Sequence, residues 1–342
     1  MTTRFPAPDL RHLATLTDET GIVEHARLNV PRPALGYCTD DAGRALAIAC
    51  LLATDPDARR IAEASITFLE RAHAEDGVTF ALRRFPDRAW SVDRSDDASA
   101  RALFGLGTAA ALAPWGDVRN RARRLFTTTA GFRSPHPRAT AYAVLGASRL
   151  LDAFPGDGAA RAIVTDGART LPRPATDPAW PWPAPTLTYA NATVPDALLA
   201  AGAHLREQPL VEQGLRLLSW LAAEETHQDH FSFAPVGGRG PGGCKPAFDQ
   251  QPIEAAAMTA ACARAFSLTG DAHWHVLVDR AAAWFCGRND TSALLYDAAT
   301  GGCRDGLERT GPNLNEGAES TIAFLDAMTS ARRLAQLTKE AS

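Results

Sequence analysis

Paired acidic residues mark the start of two apolar, alanine-rich stretches in this chain of 342 residues. The first stretch reads Gly36-Tyr37-Cys38-Thr39-Asp40-Asp41-Ala42-Gly43-Arg44-Ala45-Leu46, and a near copy reads Ser95-Asp96-Asp97-Ala98-Ser99-Ala100-Arg101-Ala102-Leu103. One hydroxyl or carboxylate is enough to cap a helix start, because its oxygen accepts a hydrogen bond from an open backbone N–H group. The second carboxylate of each pair is then available for chemistry. We interpret Asp40 and Asp96 as caps, and Asp41 and Asp97 as site residues.

Other apolar stretches begin with polar side chains of a similar kind. These are Arg138, Thr140, Tyr189, Asn191, Asp196, Asp249, Gln250, Gln251, Glu254, Asn313, Asn315, Glu316 and Glu319. Glu254 and Glu319 fall within runs rich in alanine and isoleucine, where burying an unpaired carboxylate is costly, so we expect both to line a cavity. Asp249 has a second interpretation, as the cap of a helix that Pro252 opens.

Carboxylates combined with aromatic rings suit the recognition and cleavage of carbohydrate. Glycosidic cleavage needs one protonated acid and one ionised carboxylate. Clustered carboxylates raise one another's pKa, which keeps one of them protonated near neutral pH. The candidate catalytic residues are Asp41, Asp97, Glu254 and Glu319. The candidate substrate-binding residues are Tyr37, Asp40, Trp182, Tyr189, Asp249, Gln250, Gln251 and Asn315.

Pairs of helices are predicted to position these side chains. The first helices begin near residues 41, 97, 139, 190, 251 and 317, and second helices are predicted at 57–74, 117–129, 158–170, 208–223 and 272–287. Alanine-rich first helices fit an inner ring that packs closely inside an outer ring of bulkier second helices. We predict an all-α (α/α)6 toroid, a single domain over residues 1–342 in which 1–30 forms an N-terminal helix and arm. An open superhelical solenoid is the alternative, although its loops are usually shorter and more uniform.

The inner helices of such a toroid run roughly parallel, so their starts gather at one end. Helix N-termini present free N–H donors and partial positive charge there. We therefore expect the acidic helix starts to surround one funnel.

Composition and spacing exclude several classes of function. The formal charge of −4 does not favour nucleic-acid binding, and no run approaches the ~18 apolar residues of a membrane span. No secretory signal is visible, so we expect a cytoplasmic protein whose six cysteines are reduced. No cofactor or metal is predicted, because His227 and His230 have no apparent third ligand. The glycine-rich segment 237–243 also lacks the nucleotide-binding fingerprint.

Residues 37–46 resemble the "YCTDDNARAL" signature of a bacterial six-hairpin, glycosidase-like family. Further matches are Gly21-Ile22-Val23-Glu24-His25-Ala26, Phe248-Asp249-Gln250-Gln251-Pro252-Ile253-Glu254-Ala255, Gly287-Arg288-Asn289-Asp290 and Asn313-Leu314-Asn315-Glu316-Gly317-Ala318-Glu319-Ser320-Thr321. Members occur alone or joined to retaining glycosyltransferases, and near mannoside phosphorylase genes. The resemblance covers the chain from about residue 10 to 335 and implies an (α/α)6 fold that acts on or binds saccharides.

Two positions depart from the pattern of that family. Ala42-Gly43 stands where the signature has Asn-Ala, which removes an amide from the mouth of the funnel. The segment 95–99 replaces a Ser-Glu-Asp-Ser-His arrangement, so the histidine expected near Ser99 is missing.

These observations together predict a glycoside hydrolase, or a closely related carbohydrate-active enzyme, with a saccharide as its substrate. One alternative is a sugar epimerase or lyase, although epimerases of this shape generally use histidines and the predicted inner-helix starts carry none. A terpene-type cyclase is another, because its acidic motif lies in an aromatic cavity. The non-enzymatic alternative is a saccharide-binding module that serves a separate glycosyltransferase.

Overall fold

The computed structural model describes residues 5–340, so residues 1–4 and 341–342 of the predicted domain lie outside the described part. Twelve α-helices are found within it. They are α1 Arg11–Thr15, α2 Thr39–Leu51, α3 Ala58–Ala72, α4 Asp96–Leu112, α5 Gly116–Thr129, α6 Pro137–Ala153, α7 Gly158–Thr170, α8 Thr193–Leu205, α9 Gln208–Glu224, α10 Pro252–Thr269, α11 Ala272–Trp284 and α12 Ala318–Glu340.

Short antiparallel strand pairs occupy the loops between the helices. The strands are β1 Ala26–Arg27 with β2 Val30–Pro31, β3 Tyr37–Cys38 with β4 Arg83–Arg84, β5 Thr226–His227 with β6 His230–Phe231, and β7 Gly306–Glu308 with β8 Gly311–Asn313. Each pair is only two or three residues long, so the strands brace loops and form no extended sheet.

The six alternate helices α2, α4, α6, α8, α10 and α12 form a closed inner ring. Each contacts the next one in this order, and α12 returns to contact α2. Helices α3, α5, α7, α9 and α11 each pack outside the inner helix that precedes them, while the short α1 packs against α12 in the sixth outer position. The predicted all-α (α/α)6 toroid is confirmed, with an N-terminal segment in place of a sixth long outer helix.

Large apolar side chains fill the space between the two rings, and small ones lie where the inner helices meet. Phe68 on α3, Phe126 on α5 and Trp284 on α11 are completely buried. This difference explains why the first helix of each pair is rich in alanine and the second has bulkier side chains. A helix that touches neighbours on several sides requires small side chains to approach them closely.

Glycines let the backbones of α2, α4 and α6 come into direct contact. A Cβ atom on Gly43 would lie 2.7 Å from the carbonyl carbon of Arg101, and one on Gly105 would lie 2.8 Å from the carbonyl carbon of Gly43. A Cβ on Gly146 of α6 would lie 2.6 Å from the carbonyl oxygen of Leu103. Glycine at position 43, where the family signature has alanine, therefore sets the separation of α2 and α4.

Within residues 5–340, no helix combines the length and the hydrophobicity that crossing a bilayer requires.

We predict that Gly43→Ala lowers the free energy of unfolding by about 1–3 kcal/mol, because the added methyl group forces two packed backbones apart. Urea unfolding followed by circular dichroism measures this change. Gly158→Ala is the matched control, since the α7 start has open space around Gly158. We expect this control to be neutral or to stabilise by about 0.4–1 kcal/mol. Equal effects of the two substitutions would contradict the close helix contact.

Candidate active site

The first turn of α2 directs two carboxylates toward one arginine of the same helix. Arg44 lies four residues after Asp40 and three after Asp41, so all three side chains share a helix face. Its Nη2 atom is 2.9 Å from Asp40 Oδ2 and 3.4 Å from Asp41 Oδ1. The predicted cap role of Asp40 is wrong, because Cys38 occupies the N-cap position and Asp40 is committed to this arginine.

The start of α4 shows the same departure from the capping interpretation. The hydroxyl of Ser95 caps the helix by accepting the amide N–H of Ala98. Asp96 instead accepts a hydrogen bond of 2.6 Å from the hydroxyl of Ser134. The interpretation of Asp96 as a cap is therefore wrong, and its carboxylate links α4 to the loop before α6.

Two arginines join the starts of three neighbouring inner helices. Arg44 Nη1 donates to Glu319 Oε2 on α12 at 2.8 Å. Arg101 on α4 donates to Asp40 at 3.2 Å, and its Nη1 is 3.9 Å from Asp97 Oδ2. We call this group the arginine–carboxylate cluster, and its members are Asp40, Asp41, Arg44, Asp97, Arg101 and Glu319.

Solvent exposure divides the carboxylates of the arginine–carboxylate cluster into two kinds. The side chain of Glu319 is 40% exposed and that of Asp97 is 20% exposed, so both are open to a ligand. The side chain of Asp41 is only 4% exposed, and its Oδ1 atom accepts no hydrogen bond. Asp41 therefore lies behind the exposed groups as the enclosed acid of the cluster.

The pKa values of the two adjacent aspartates move in opposite directions. Burial alone would raise the pKa of Asp40, but Arg44 and Arg101 hold it at about 2. Burial raises the pKa of Asp41 well above its usual value, helped by the negative charges of Asp40, Glu24 and Glu319 and opposed by Arg44. Asp40 is thus an ionised partner of the arginines, whereas burial and the neighbouring carboxylates favour the protonated form of Asp41.

A tyrosine extends the cluster toward α6 and α8. The hydroxyl of Tyr189 donates a hydrogen bond to Asp97 Oδ2. The guanidinium of Arg138, in the first turn of α6, lies 4.4 Å from the centre of the Tyr189 ring and donates to the Tyr189 carbonyl. Burial and the bond to Asp97 raise the pKa of Tyr189, so its hydroxyl remains a donor that orients Asp97.

Glu254 is placed differently from the other candidate catalytic residues. Its carboxylate accepts the backbone N–H groups of Ala190 and Asn191 and the side-chain amide of Asn191. Its side chain thereby fixes the turn that leads into α8. Burial raises the pKa of Glu254 to about 7, although those hydrogen bonds and Arg138 act against the rise.

Glu225, at the end of α9, is a second sealed carboxyl group beside Glu254. It is 1% exposed and accepts the backbone N–H of Ala234 at 3.1 Å. Burial and then the charge of Glu254 raise the pKa of Glu225 to about 8. Sequence reasoning missed this residue, because a glutamate at the end of an outer helix looks like a surface residue.

A cavity of about 310 Å³ adjoins the cluster and follows the ring axis. Arg44, Glu319 and Tyr142 line it near the helix starts, while Leu337 lines its other end. Glu319 and Leu337 are 18 residues apart on α12, which corresponds to roughly 27 Å at 1.5 Å per residue. Its volume is within the range of small-molecule sites, about 300–1,000 Å³.

Further charged residues outside the arginine–carboxylate cluster line the same cavity. Arg264 pairs with Asp196 there, and Arg149 and Asp326 line the same cavity. Burial raises the pKa of Asp326 to about 6, against the opposing effect of Arg149. The cavity therefore carries charged groups outside the arginine–carboxylate cluster, among mainly apolar side chains.

Two of the predicted aromatic residues are held by protein contacts. Tyr37 is buried in β3, and its hydroxyl donates to Asp18 at 2.6 Å. Trp182 is 4% exposed and stacks on Trp220 of the outer helix α9, with ring centres 6.3 Å apart. Neither residue lines the axial cavity, whereas Tyr189 does contact the cluster.

The predicted polar residues before α10 and α12 lie in loops, and two of them hydrogen-bond to other loop residues. Gln250 is fully buried, and its amide accepts the N–H of Phe233 and donates to Asp290. Gln251 occupies the N-cap position of α10, and no side chain caps this helix. The interpretation of Asp249 as its cap is therefore wrong, and Asp249 is exposed. Asn315 accepts the backbone N–H of Leu28 at 3.0 Å. Gln250 and Asn315 therefore have evident roles in holding loops.

The sequence contains an indication of the two arginines of the cluster, although neither was predicted as a site residue. Both near copies of the acidic stretch end in Arg-Ala-Leu, at residues 44–46 and 101–103. Repetition of a cation at a buried, alanine-rich position indicates a paired charge. His136 also lies directly before α6, so one inner-helix start does have a histidine, although it is exposed.

We predict that stability falls as the pH rises from about 4.5 to 8, because the folded state keeps a proton on Glu225 that the unfolded state releases. The stability is fully present below the ordinary pKa of 4.5 and is lost as the pH passes through the folded value of about 8. One such proton gives a slope of up to about 1.4 kcal/mol per pH unit. Urea unfolding at a series of pH values measures the slope.

Glu225→Gln should flatten this dependence, since the amide cannot ionise and its oxygen still accepts the Ala234 N–H. The exposed Glu75→Gln is the control and should keep the wild-type slope. An unchanged slope in Glu225→Gln would contradict the assignment.

The chain is similar in structure to several carbohydrate-active enzymes. Cellobiose 2-epimerase from Bacillus thermoamylovorans superposes with a TM-score of 0.72 at 10% identity, covering 96% of each chain. D-mannose isomerase superposes with a TM-score of 0.69 at 12% identity, covering 93% of each chain. A cellulase of C. cellulolyticium in complex with cellobiose gives 0.61 at 9% identity, covering 92% of this chain and 88% of the cellulase.

At such low identity the similarity establishes the fold. No protein-family model matches the sequence, and no curated protein matches it either. The chain therefore has the six-hairpin (α/α)6 toroid that sugar epimerases, a sugar isomerase and glycoside hydrolases share.

Proposed function

We propose that this protein is a carbohydrate-active enzyme that cleaves a glycosidic bond. The observation that carries the proposal is the bridge formed by Arg44, which holds the enclosed carboxyl of Asp41 and the exposed carboxylate of Glu319 on one guanidinium. Glycoside hydrolysis requires such a pair, in which one carboxyl group carries a proton and the other is ionised.

Asp41 is the proton donor in this proposal. Its raised pKa favours the protonated form, and its Oδ1 atom is buried, accepts no hydrogen bond and lies 3.4 Å from Arg44 Nη2. It would protonate the glycosidic oxygen of the departing sugar. Low solvent access helps Asp41 to keep its proton until a substrate enters.

Glu319 is the second carboxyl group of the pair, and it would act at the anomeric carbon, either directly or through a water molecule. The Arg44 guanidinium lies 2.8 Å from the Glu319 carboxylate and 3.4 Å from that of Asp41. Because both contact the same group, their separation is limited. Carboxyl pairs in glycosidases lie about 5–9.5 Å apart, and a shared guanidinium is compatible with this range.

Asp97 and Tyr189 would hold the sugar beside this pair. Asp97 is partly exposed, and the Tyr189 hydroxyl fixes its orientation. A carboxylate so oriented accepts hydrogen bonds from sugar hydroxyl groups. Glu254, which is fully engaged by the turn before α8, serves this site as a support for the loop that carries Tyr189.

The resemblance of residues 37–46 to the signature of a glycosidase-like family supports a saccharide substrate. The names of the structural neighbours, which refer to cellobiose and to mannose, suggest the first compounds to test. We therefore propose gluco- and manno-oligosaccharides as the initial substrate panel.

A sugar epimerase or isomerase is the second candidate function. It is favoured by the superposition on cellobiose 2-epimerase, which covers 96% of both chains. NMR spectroscopy of the sugar distinguishes the two reactions. Hydrolysis creates new reducing ends, whereas epimerisation changes the sugar at an existing reducing end. A saccharide-binding module that serves a glycosyltransferase would bind sugar and produce neither signal.

We predict that Asp41→Asn lowers kcat by about 10²–10⁴-fold on a cleaved oligosaccharide, because an amide cannot supply the proton. Glu319→Gln should cause a loss of the same order. Reducing-end release from the substrate panel measures both effects. Glu75→Gln changes an exposed carboxylate in the loop between α3 and β4; it is the matched control and should keep the wild-type rate. Full activity in Asp41→Asn would refute the assignment of the acid.

We also predict that Glu24→Gln moves the alkaline limb of the kcat/KM profile to lower pH. Activity falls as the pH rises through the pKa of Asp41, because the general acid must be protonated. Burial is the main cause of that raised pKa, and the negative charge of Glu24 contributes to it. Removing this charge lowers the pKa of Asp41. A limb that stays in place, as expected for Glu75→Gln, would show that Asp41 is not the titrating acid.

A further inference from the structure

Two histidines and an aspartate meet outside the arginine–carboxylate cluster. His227 and His230 face each other as a cross-strand pair in the β5–β6 hairpin. Asp290, from the loop after α11, places its Oδ1 atom 3.0 Å from His227 Nδ1 and 3.0 Å from His230 Nε2. Spacing along the sequence gives no third ligand for the two histidines, because Asp290 lies 60 residues beyond His230.

The three side chains already have the arrangement that a small cation needs. One atom from each, two imidazole nitrogens and one carboxylate oxygen, lie within 4.8 Å of one another. Tetrahedral Zn²⁺ with bonds of ~2.0–2.1 Å separates its ligand atoms by about 3.3–3.4 Å, so small side-chain rotations suffice.

Surrounding residues fix the orientation of each of these groups. Gln250 donates its amide to Asp290 Oδ2 at 2.6 Å, which leaves Oδ1 for the histidines. His230 Nδ1 lies 3.5 Å from Asp229 Oδ1, behind the nitrogen that faces Asp290. A carboxylate in this position behind an imidazole commonly supports metal-binding histidines.

The loop that carries Asp290 is also rigid. The side-chain amide of Asn289 donates to the carbonyls of Trp284 and Ala293 at 2.8 Å each, and its oxygen accepts the Ala293 N–H at 3.1 Å. Asp290 itself is 1% exposed, whereas His227 is 30% exposed, so an ion has a route from solvent on the histidine side.

We propose that His227, His230 and Asp290 bind one divalent transition-metal ion of the Zn²⁺ class, with water as a fourth ligand. This metal site is separate from the proposed glycosidase activity, and the proposal does not depend on that activity. Two imidazole nitrogens select Zn²⁺ over Mg²⁺ or Ca²⁺, which prefer oxygen ligands.

Metal binding changes the role of the two ring nitrogens that face Asp290. A carboxylate oxygen only accepts hydrogen bonds, so without metal His227 Nδ1 and His230 Nε2 both donate to Asp290 Oδ1. With metal, these nitrogens would offer their lone pairs, and hydrogen would be on His227 Nε2 and on His230 Nδ1, which faces Asp229.

The ion would join three loops at one point. These are the β5–β6 hairpin, the loop after α11 and, through Gln250, the residues that precede α10. Its role in this arrangement is structural. The proposal therefore predicts a higher melting temperature with Zn²⁺ than with Mg²⁺.

The test is calorimetric titration of the full chain with Zn²⁺ after treatment with EDTA and desalting. We expect close to one Zn²⁺ per chain, a rise in melting temperature, and no binding of Mg²⁺ under the same conditions. His227→Ala and His230→Ala should each weaken Zn²⁺ affinity at least tenfold, and His273→Ala, which removes an exposed histidine elsewhere, should not. Circular dichroism confirms that each variant is folded.

Substitution of Co²⁺ in the wild-type chain provides a readout that needs no variant. We expect the intense visible absorption of a tetrahedral Co²⁺ site, and its loss on addition of excess Zn²⁺. The proposal is overturned if the wild-type chain binds no Zn²⁺, if His227→Ala and His230→Ala bind it as the wild type does, or if Co²⁺ shows only the weak absorption of an aqueous ion.

Discussion

Two guanidinium groups, those of Arg44 and Arg101, are buried at the point where three inner helices begin, and both are neutralised by carboxylates. Burying an unpaired ion costs several kcal/mol, so the arginines are stable there only because Asp40 lies between them. The same carboxylate holds two arginines, and each arginine contacts a further acid. Removing Asp40 would take away the one carboxylate that both arginines share. The ends of α12, α2 and α4 are therefore coupled by charge as well as by packing.

The glycine contacts and the charge contacts depend on each other. Gly43 lies against the backbone of Arg101, the residue whose side chain reaches Asp40. A larger residue at position 43 would separate α2 from α4 and lengthen that ion pair. Glycine at position 43 thus has a structural consequence, because the absence of a side chain allows closer helices. Fold and site are linked through this single contact.

Much of the fold was predictable from the sequence, since alanine-rich and bulky stretches alternate along the chain. This alternation located every long helix to within a few residues, as for α7 at Gly158–Thr170. The site was predictable only in part. Acidic residues at helix starts led to the proposal of Asp41, Asp97 and Glu319, which the structure brings together in one cluster. The pattern could not show that Asp40 binds arginines or that Glu254 supports a turn. Those roles depend on which helices are neighbours, and pairs such as Arg44 and Glu319 are 275 residues apart.

The central claim is that a saccharide binds where Asp41, Glu319 and Asp97 meet. A crystal structure of the Glu319→Gln variant soaked with an oligosaccharide from the substrate panel tests it most directly. We predict a sugar unit in hydrogen-bond contact with Asp97, and a glycosidic oxygen facing Asp41 Oδ1. A saccharide bound elsewhere, with no contact to any residue of the arginine–carboxylate cluster, would contradict the account.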